Sequence, residues 1–401
     1  MHPTTLTGRC LALALALMLW APCARAHAEG GPLVLVGGSL DSPRILDEIV
    51  RLSGGAGRAR IGVITAASSR AAENGAYYQD VFRRHGAADV QWIPIGQPGQ
   101  DSAALLRQIR GMTGFFFGGG DQSRLLQTLV RGNGQETPAM REIRRAMERG
   151  ALVGGTSAGT AVQVRGAMVT GGESYDALRR APEDVLSPRS GGRLSYYASG
   201  GLGLFRWGAL DTHFNERGRA GRLVRLAATT GQRFAFGIDE DTALVVRSPL
   251  GRDPRMSVLG QGGVSIFDLG RAKLGTGADF SIRNVRTAYL TEGDSFRPRK
   301  GKMKCARGKQ TVSAPEQGRG PRLASRDIFS SRALDRRNAR ELVRVTTGLF
   351  DSPKTTITAR VHEDPRWQVT ISKTRGARCY ESCNGVPRSY KNLRLDIRRG
   401  K

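Results

Sequence analysis

The stretch Ala151-Leu152-Val153-Gly154-Gly155-Thr156-Ser157-Ala158-Gly159 joins a short apolar run to a helical pattern that continues from Ala161. A continuous apolar run followed by small residues predicts a strand that is buried on both faces, as in a parallel sheet. The glycines on both sides of Ser157 leave room for a tight turn. The pattern G-x-S-x-G between a strand and a helix therefore predicts an elbow that exposes the hydroxyl of Ser157.

Further apolar runs precede this stretch, and helical patterns separate them. The predicted strands span residues 33–36, 61–64, 90–95, 114–117 and 151–153, and two predicted helices span 102–109 and 140–148. Strands that alternate with helices predict an α/β fold with a doubly wound, mostly parallel sheet. In such sheets the functional side chains gather at the carboxyl ends of the strands, which is where Ser157 lies.

A nucleophilic serine requires a base, and the chain contains five histidines. His213 follows an apolar run that ends at Leu210, whereas the other four lie near the N-terminus, in a basic helix or in the C-terminal tail. A neutral imidazole can accept the serine proton and pass it to a leaving amine. His213 is therefore the candidate base.

The base needs a carboxylate that orients it, and the three acids of the run 239–241 and Glu173 remain open for this role. Glu240 follows the apolar run 234–236, and Glu173 follows two glycines. The order Ser157, His213, Glu240 differs from the order serine, acid, histidine that α/β-hydrolases show. This order argues against an esterase of that fold.

Backbone amides and arginines complete the predicted site. The N–H of Ala158 and an N–H from the glycines 118–120, represented by Gly119, are candidate donors to an oxyanion. The arginines that follow His213 are Arg217, Arg219, Arg222 and Arg225. On a helix that begins near Asn215, several of them would share a face, and guanidinium groups suit bidentate binding of a substrate carboxylate.

The charge and the N-terminus suggest a compartment and exclude some partners. Lys and Arg outnumber Asp and Glu by 62 to 35, a net charge of +27 that favours contact with acidic polymers or anionic surfaces. No basic-aromatic module accompanies the charge, so we expect no nucleic-acid partner. Residues 1–26 combine an apolar run too short to span a bilayer with Ala24-Arg25-Ala26, which predicts a cleaved signal peptide and a secreted or periplasmic protein. No later segment is apolar enough to be an integral membrane span.

The composition divides the rest of the chain in two. Residues 27–296 read as the hydrolytic α/β domain, and residues 297–401 as a basic linker followed by a small β-rich region with strands near 355–361, 367–371 and 393–397. An oxidising compartment favours a disulfide from Cys305 to Cys379 or Cys383. The cysteine spacing fits no common zinc motif, so we expect no metal site there.

Four spaced motifs together resemble the cyanophycinase family, relatives of the peptidase E aspartyl dipeptidases. They are residues 117–122 with Arg124 and Leu125, residues 155–159, residues 211–214 with the arginines after them, and residues 237–240. The resemblance spans roughly residues 32–270 and implies a glutamine-amidotransferase-like fold and a Ser-His-Glu mechanism without a cofactor. Members of the family cleave cyanophycin, a poly-aspartate chain with arginine on each side-chain carboxyl, into β-Asp-Arg dipeptides.

The resemblance implies a role for each matched residue. Ser157 would be the nucleophile, His213 the base and Glu240 the orienting acid. The residues that would hold substrate are Gln122, Asp211, Arg217, Arg219 and Arg222, and Thr212 stands where the family commonly has Gln. The chain resembles the extracellular members of the family. Its expected partner is cyanophycin or an aspartyl peptide. The oligomeric state is left open, with a homodimer as one alternative.

Two other functions compete with cyanophycin hydrolysis. One is a broader dipeptidase of the same fold that acts on aspartyl or isoaspartyl peptides. The other is a non-catalytic polymer-binding protein that uses its basic tail. The presence of Ser157, His213 and Glu240 together argues against the second, because a binding protein has no need of all three.

Overall fold

The strand before Ser157 lies at the centre of a large mixed sheet. The computed structural model describes residues 29–184, 193–312, 323–330, 340–382 and 388–400, so the predicted signal peptide lies outside the described residues. The strands are β1 Leu33–Val36, β2 Arg60–Ile64, β3 Asp89–Trp92, β4 Gly114–Phe117, β5 Leu152–Thr156, β6 Met168–Gly171, β7 Glu183–Asp184, β8 Ser195–Tyr197, β9 Ala209–Asp211, β10 Phe234–Ile238, β11 Thr242–Arg247, β12 Arg255–Gly260, β13 Gly263–Asp268, β14 Lys273–Leu274, β15 Ile282–Thr291, β16 Ser295–Arg297, β17 Lys302–Lys304, β18 Gln310–Thr311, β19 Thr356–Arg360, β20 Trp367–Glu381 and β21 Ser389–Arg399.

The described helices lie mostly in the N-terminal half of the chain, where they connect the strands. They are α1 Pro43–Leu52, α2 Ala71–Arg84, α3 Ala103–Arg110, α4 Gln122–Leu129, α5 Pro138–Glu148, α6 Ala158–Ala161, α7 Ser174–Arg179, α8 Ala220–Thr229 and α9 Glu341–Gly348, which continues into a 3-10 turn at Leu349–Asp351. Side-chain caps fix where several of them begin. Ser102, Asp121 and Thr137 accept a backbone N–H at the start of α3, α4 and α5.

The first sheet has the strand order β17-β16-β12-β11-β1-β5-β4-β2-β3. The strands from β1 to β3 pair in parallel, and those from β11 to β17 add antiparallel strands beyond β1. Successive side chains of β1 lie on opposite faces of this sheet and belong to different hydrophobic cores. Val34 belongs to the core that contains residues of α1 and α2, and Leu35 to the core that contains residues of α4 and α5. Helices thus cover both faces, which confirms the predicted α/β fold and explains the continuous apolar runs.

The second sheet has the order β18-β20-β21-β15-β13-β10-β9, and β6, β8 and β7 form a small third sheet. Strands β9 and β10 are parallel neighbours, and the others in the second sheet pair antiparallel. The three strands predicted in the tail are confirmed, although β20 and β21 extend well beyond the predicted bounds. Trp367 and Tyr390 bury their rings in the core beneath this sheet.

The tail strands continue a sheet that begins within residues 27–296. The division into two regions at residue 297 stays a prediction. The described part of the basic stretch after it is not a free linker, because β17 pairs with a strand of the first sheet and β18 with a strand of the second. Lys309 is buried there, and its ammonium group lies 2.8 Å from Asp294 Oδ1. Removing one partner of such a buried pair typically costs about 3–5 kcal/mol. The stretch whose composition suggested a linker therefore contains a fixed ion pair between Lys309 and Asp294.

The predicted disulfide between Cys305 and Cys379 does not form. Both are free thiols, and burial raises the pKa of Cys379 to about 12. Cys379 lies in β20, where its side chain packs in the apolar core. Cys383, the other predicted partner, lies outside the described residues.

None of the helices in the described ranges is long and apolar enough to cross a membrane.

Candidate active site

Ser157 occupies a strained turn between β5 and α6. Its backbone has φ +53° and ψ −116°, a conformation that costs a residue with a side chain on the order of 1–3 kcal/mol. Its N–H donates to Val36 O at 3.1 Å, which ties the turn to the end of the neighbouring strand β1. Gly159 allows the helix to pass close to β4, because a Cβ there would lie 2.0 Å from Phe117 O. The turn therefore exists because the glycines let three backbone segments meet.

His213 follows β9 and reaches the serine hydroxyl. Its Nε2 lies 2.8 Å from Ser157 Oγ. Its backbone has φ +47°, and its N–H donates to Gly37 O at 2.7 Å. The imidazole packs against Gly38, where a Cβ would lie 2.1 Å from the ring carbon Cε1. Any side chain at Gly38 would therefore push the imidazole away from Ser157.

The structure brings Glu240 to the imidazole. Glu240 Oε1 lies 2.8 Å from His213 Nδ1, and both side chains are largely buried. Strands β9 and β10 are parallel neighbours, so the residues that follow them, His213 and Glu240, emerge side by side. Glu173, the other candidate acid, is exposed and precedes α7. A carboxylate at Nδ1 fixes the tautomer whose Nε2 can accept a proton.

The surroundings of His213 favour the neutral imidazole. Burial lowers the pKa of His213, the hydrogen bond with Glu240 raises it, and the positive charges of Arg217 and Arg219 lower it again. The net pKa lies below the usual value for a histidine. The ring is therefore available as a proton acceptor at neutral pH.

Two backbone segments adjoin Ser157 where an oxyanion would form. Ala158 follows it directly at the start of α6. Gly119 lies on the other side, since a Cβ built on it would lie 3.5 Å from Ser157 Cβ. The geometry therefore places both predicted amides beside the serine, and their role as donors stays a prediction.

The predicted substrate residues Asp211 and Arg222 pair with each other. Arg222 Nε and Nη2 donate to the two carboxylate oxygens of Asp211, each at 2.7 Å, and Nη1 donates to Gly172 O at 2.6 Å. Both side chains are almost fully buried. The burial of Asp211 raises its pKa, but the charges of Arg222 and Arg219 outweigh this, so the net pKa is lowered. The pair is therefore a fixed, buried contact at the end of β9, next to the loop of His213.

Arg222 is buried, whereas Arg219 is half-buried and Arg217 is exposed. Arg219 Nη1 donates to Thr212 O at 2.7 Å and to Asp211 Oδ1 at 3.3 Å, while its buried Nε has no hydrogen-bond partner among the described residues. Burial, followed by the charge of Arg222, lowers the pKa of Arg219 to about 9.

The helix that carries these arginines begins later than predicted. It starts at Ala220 and not near Asn215, because Gly218 adopts φ +57° and interrupts the helical backbone. Arg217 and Arg219 therefore belong to the loop that follows His213. The guanidinium carbon of Arg225 lies over the ring of Phe280, 4.3 Å from its centroid.

The remaining predicted substrate residues line the same region. Gln122 begins α4, and its amide donates to Val169 O at 2.6 Å. Thr212 is buried between Asp211 and His213, and its N–H donates to Asp211 Oδ1. Their contact with substrate stays a prediction.

Sequence reasoning missed a buried cluster behind Glu240. It consists of Glu216, Asp239, Asn215, Tyr289 and Arg340. The run of three acids at 239–241 is the one sign of this cluster in the sequence, and it marks Asp239 as a candidate orienting acid and not as a buried partner of Arg340. Arg340 is a single arginine in a stretch rich in them, so no local pattern distinguishes it.

Within the described ranges, no group of three or more His, Cys, Asp or Glu side chains could hold a metal ion. The arrangement of serine, imidazole and carboxylate is one that can perform nucleophilic chemistry with side chains alone.

Comparison with known proteins identifies the family. The model of peptidase family S51 matches residues 33–249. A cyanophycinase of Trichormus variabilis is 33% identical over 250 residues, which cover 60% of this chain and 76% of that protein. A cyanophycinase of Synechococcus elongatus is 31% identical over 277 residues, covering 66% and 79% respectively. The crystal structure of a peptidase from an acI-B1 Actinobacterium superposes with a TM-score of 0.46 at 20% identity, covering 67% of this chain and 97% of that one. Because the family match spans more than half of the chain, this protein belongs to peptidase family S51 and is a serine-type peptidase.

Proposed function

We propose that the protein hydrolyses cyanophycin to β-Asp-Arg dipeptides through Ser157, His213 and Glu240. The main support for the mechanism is a chain of two hydrogen bonds. His213 Nε2 lies 2.8 Å from Ser157 Oγ, and His213 Nδ1 lies 2.8 Å from Glu240 Oε1. The substrate is supported by the two relatives named cyanophycinase. The resemblance of the motifs around these residues points the same way.

The first half of the reaction forms an ester. Ser157 Oγ attacks the carbonyl carbon of a backbone peptide bond, and its proton passes to His213 Nε2. Glu240 stabilises the imidazolium at Nδ1 and does not itself take the proton. The N–H groups of Ala158 and Gly119 would receive the negative charge on the carbonyl oxygen. The C–N bond then breaks, and His213 donates the proton to the leaving amine.

The second half restores the serine. A water molecule gives a proton to His213 Nε2 and attacks the ester carbon, after which the C–O bond to Ser157 breaks. His213 returns the proton to Ser157 Oγ, and the product leaves with a new carboxyl group that releases its remaining proton to solvent. Each cycle consumes one water molecule and needs no further reactant.

The cations around the imidazole suit this polymer. Every arginine on the polymer ends in an α-carboxylate, which needs a fixed positive partner. The half-buried Arg219 and the exposed Arg217 are the cations of this loop best placed to supply one. Arg222 contributes indirectly, because its pairing with Asp211 fixes the carboxylate that Arg219 also contacts.

We also propose that the protein is exported. The support is the sequence of residues 1–26, with a short apolar run and a small-residue cleavage motif. Export would place the enzyme where polymer released from other cells is found.

The first prediction concerns Ser157. Ser157→Ala removes the nucleophile, so kcat on cyanophycin should fall by several orders of magnitude while the fold is retained. Release of β-Asp-Arg, measured by mass spectrometry, and circular dichroism check both parts. EDTA on the wild type is the control and should leave the rate unchanged.

Full activity of the alanine variant would refute the serine mechanism. If the wild type cleaves aspartyl or isoaspartyl dipeptides but not cyanophycin, the broader dipeptidase is the correct function. If it binds cyanophycin without cleaving any of these, the polymer-binding alternative stands.

The second prediction compares the two glutamates. Glu240→Gln keeps the size of the side chain but removes the charge that stabilises the imidazolium, so kcat should fall by about 10²–10⁴-fold. Glu173→Gln is the matched control and should keep kcat within about threefold, because Glu173 is exposed and does not contact the imidazole. The reverse ranking of the two kcat values would assign the acid role to Glu173.

The third prediction concerns pH. Because His213 must be neutral and its pKa is lowered, kcat/KM should fall only as the pH drops through a midpoint below 6.5, the usual histidine value. Arg217→Gln removes a nearby positive charge, so the pKa of His213 should rise and the midpoint should move to higher pH. Arg84→Gln, which removes an exposed charge on α2, is the control and should leave the midpoint unchanged. A midpoint that does not respond to Arg217→Gln would contradict this view of the site.

A further inference from the structure

Two carboxyl groups lie buried directly behind the pair formed by Glu240 and His213. Glu216 is 2% exposed and Asp239 is fully buried. Glu216 Oε2 accepts the backbone N–H of Glu240 at 3.2 Å. The position of the Glu240 backbone therefore depends on Glu216.

Asp239 connects the loop of His213 with the loop of Glu240. Its Oδ1 accepts the backbone N–H of Asn215 at 3.1 Å and the side-chain amide of Asn215 at 2.7 Å. Its Oδ2 accepts the hydroxyl of Tyr289 at 2.6 Å. Asn215 lies two residues after His213, and Asp239 directly precedes Glu240. A displacement of Asp239 would therefore move both members of the pair.

The two buried carboxyl groups lie too close together for both to ionise easily. Burial and then the charge of Asp239 raise the pKa of Glu216 to about 8, so Glu216 is mostly protonated at neutral pH and the charge of Asp239 is the one that needs a partner. Buried carboxylates need a paired cation, since an unpaired buried charge is strongly unfavourable. Among the described residues, Arg340 is the cation that pairs with both: its Nη2 lies 2.9 Å from Asp239 Oδ2, and its Nη1 lies 3.4 Å from Glu216 Oε1.

Arg340 also holds the His213 loop through its backbone. Its N–H donates to Asn215 O at 3.1 Å, and its left-handed conformation, φ +67°, sets it at the start of α9. That helix is anchored by Leu342 and Val345, which pack in the core beneath the second sheet. Arg340 lies far beyond residues 33–249, the part of the chain that the family model matches.

We propose that Arg340 is a positioning residue for catalysis, supplied by the C-terminal region: its guanidinium pairs with Asp239 and Glu216 and thereby holds Glu240 and His213 in line with Ser157. The inference rests on the proposed function for the roles of these three residues. It gives the basic C-terminal region a function in the reaction itself, since the cation that completes the site comes from there.

The test compares Arg340→Ala with Arg344→Ala. Arg344 lies one helical turn further on and pairs with Glu341 at the edge of the helix. Misplacing a catalytic group by about 1 Å can cost about 10²-fold. Arg340→Ala should therefore lower kcat on cyanophycin by about 10–100-fold with KM within about twofold, and Arg344→Ala should keep both within about twofold.

A second readout does not depend on the substrate. A fluorophosphonate reacts with an activated serine, so its second-order rate constant for inactivation reports how well His213 activates Ser157. This constant should fall in Arg340→Ala in parallel with kcat. If the wild type reacts with the probe but does not cleave cyanophycin, the proposed function fails, and the ratio of the two rate constants still tests Arg340.

Chemical rescue separates charge from shape. The side chain of Arg340 is 35% exposed, so a small solute can enter the space left by alanine. Guanidinium chloride at low, non-denaturing concentration should restore labelling in Arg340→Ala, and urea, which has the same shape without the charge, should not. If Arg340→Ala does not fold, Arg340→Lys gives the same comparison, because a point charge cannot bridge two carboxylates and labelling should slow severalfold.

Three results would overturn the inference. One is a labelling rate in the folded Arg340 variant within twofold of the wild type. Another is an equal loss in Arg344→Ala. The third is rescue by urea as strong as rescue by guanidinium, which would assign Arg340 a space-filling role.

Discussion

The hydrogen bond between Ser157 Oγ and His213 Nε2 is the contact on which the rest of the site depends. Its two partners come from different sheets, Ser157 from the end of β5 and His213 from the end of β9. Both residues have positive φ, a conformation that costs each of them on the order of 1–3 kcal/mol. The surrounding backbone contacts to Val36 and Gly37 must offset this strain. The fold therefore stores conformational energy where the chemistry takes place.

The C-terminal region supplies four strands of the second sheet, β18, β19, β20 and β21. Strand β21 pairs with β15, and β20 pairs with β21 on its other side. Through β15 and β13 they support β10, the strand that precedes Glu240. Lys309 and Arg340, both beyond residue 297, pair with the buried carboxylates of Asp294 and Asp239, which precede it. The high positive charge thus has at least two structural uses, and it need not reflect an anionic partner alone.

Local patterns in the sequence predicted the elbow at Ser157 and the candidacy of His213, because both lie directly after apolar runs that end at strand termini. The choice between Glu240 and Glu173 required knowing that β9 and β10 are neighbours, which is non-local information. The pairing of Asp211 with Arg222 was likewise hidden, since both looked like residues free to bind substrate. Arg340 could not be found at all, because its partners lie about a hundred positions earlier in the chain.

In the proposed mechanism Ser157, activated by His213, is the nucleophile of a peptidase that binds cyanophycin. The most direct test is to react the wild-type protein with a fluorophosphonate and to map the modified peptide by mass spectrometry, with and without cyanophycin. We predict one adduct per chain, on the peptide that contains Ser157, and slower labelling when cyanophycin is present. Modification of a different residue, or no modification of a protein that still cleaves its substrate, would rule out Ser157 as the nucleophile.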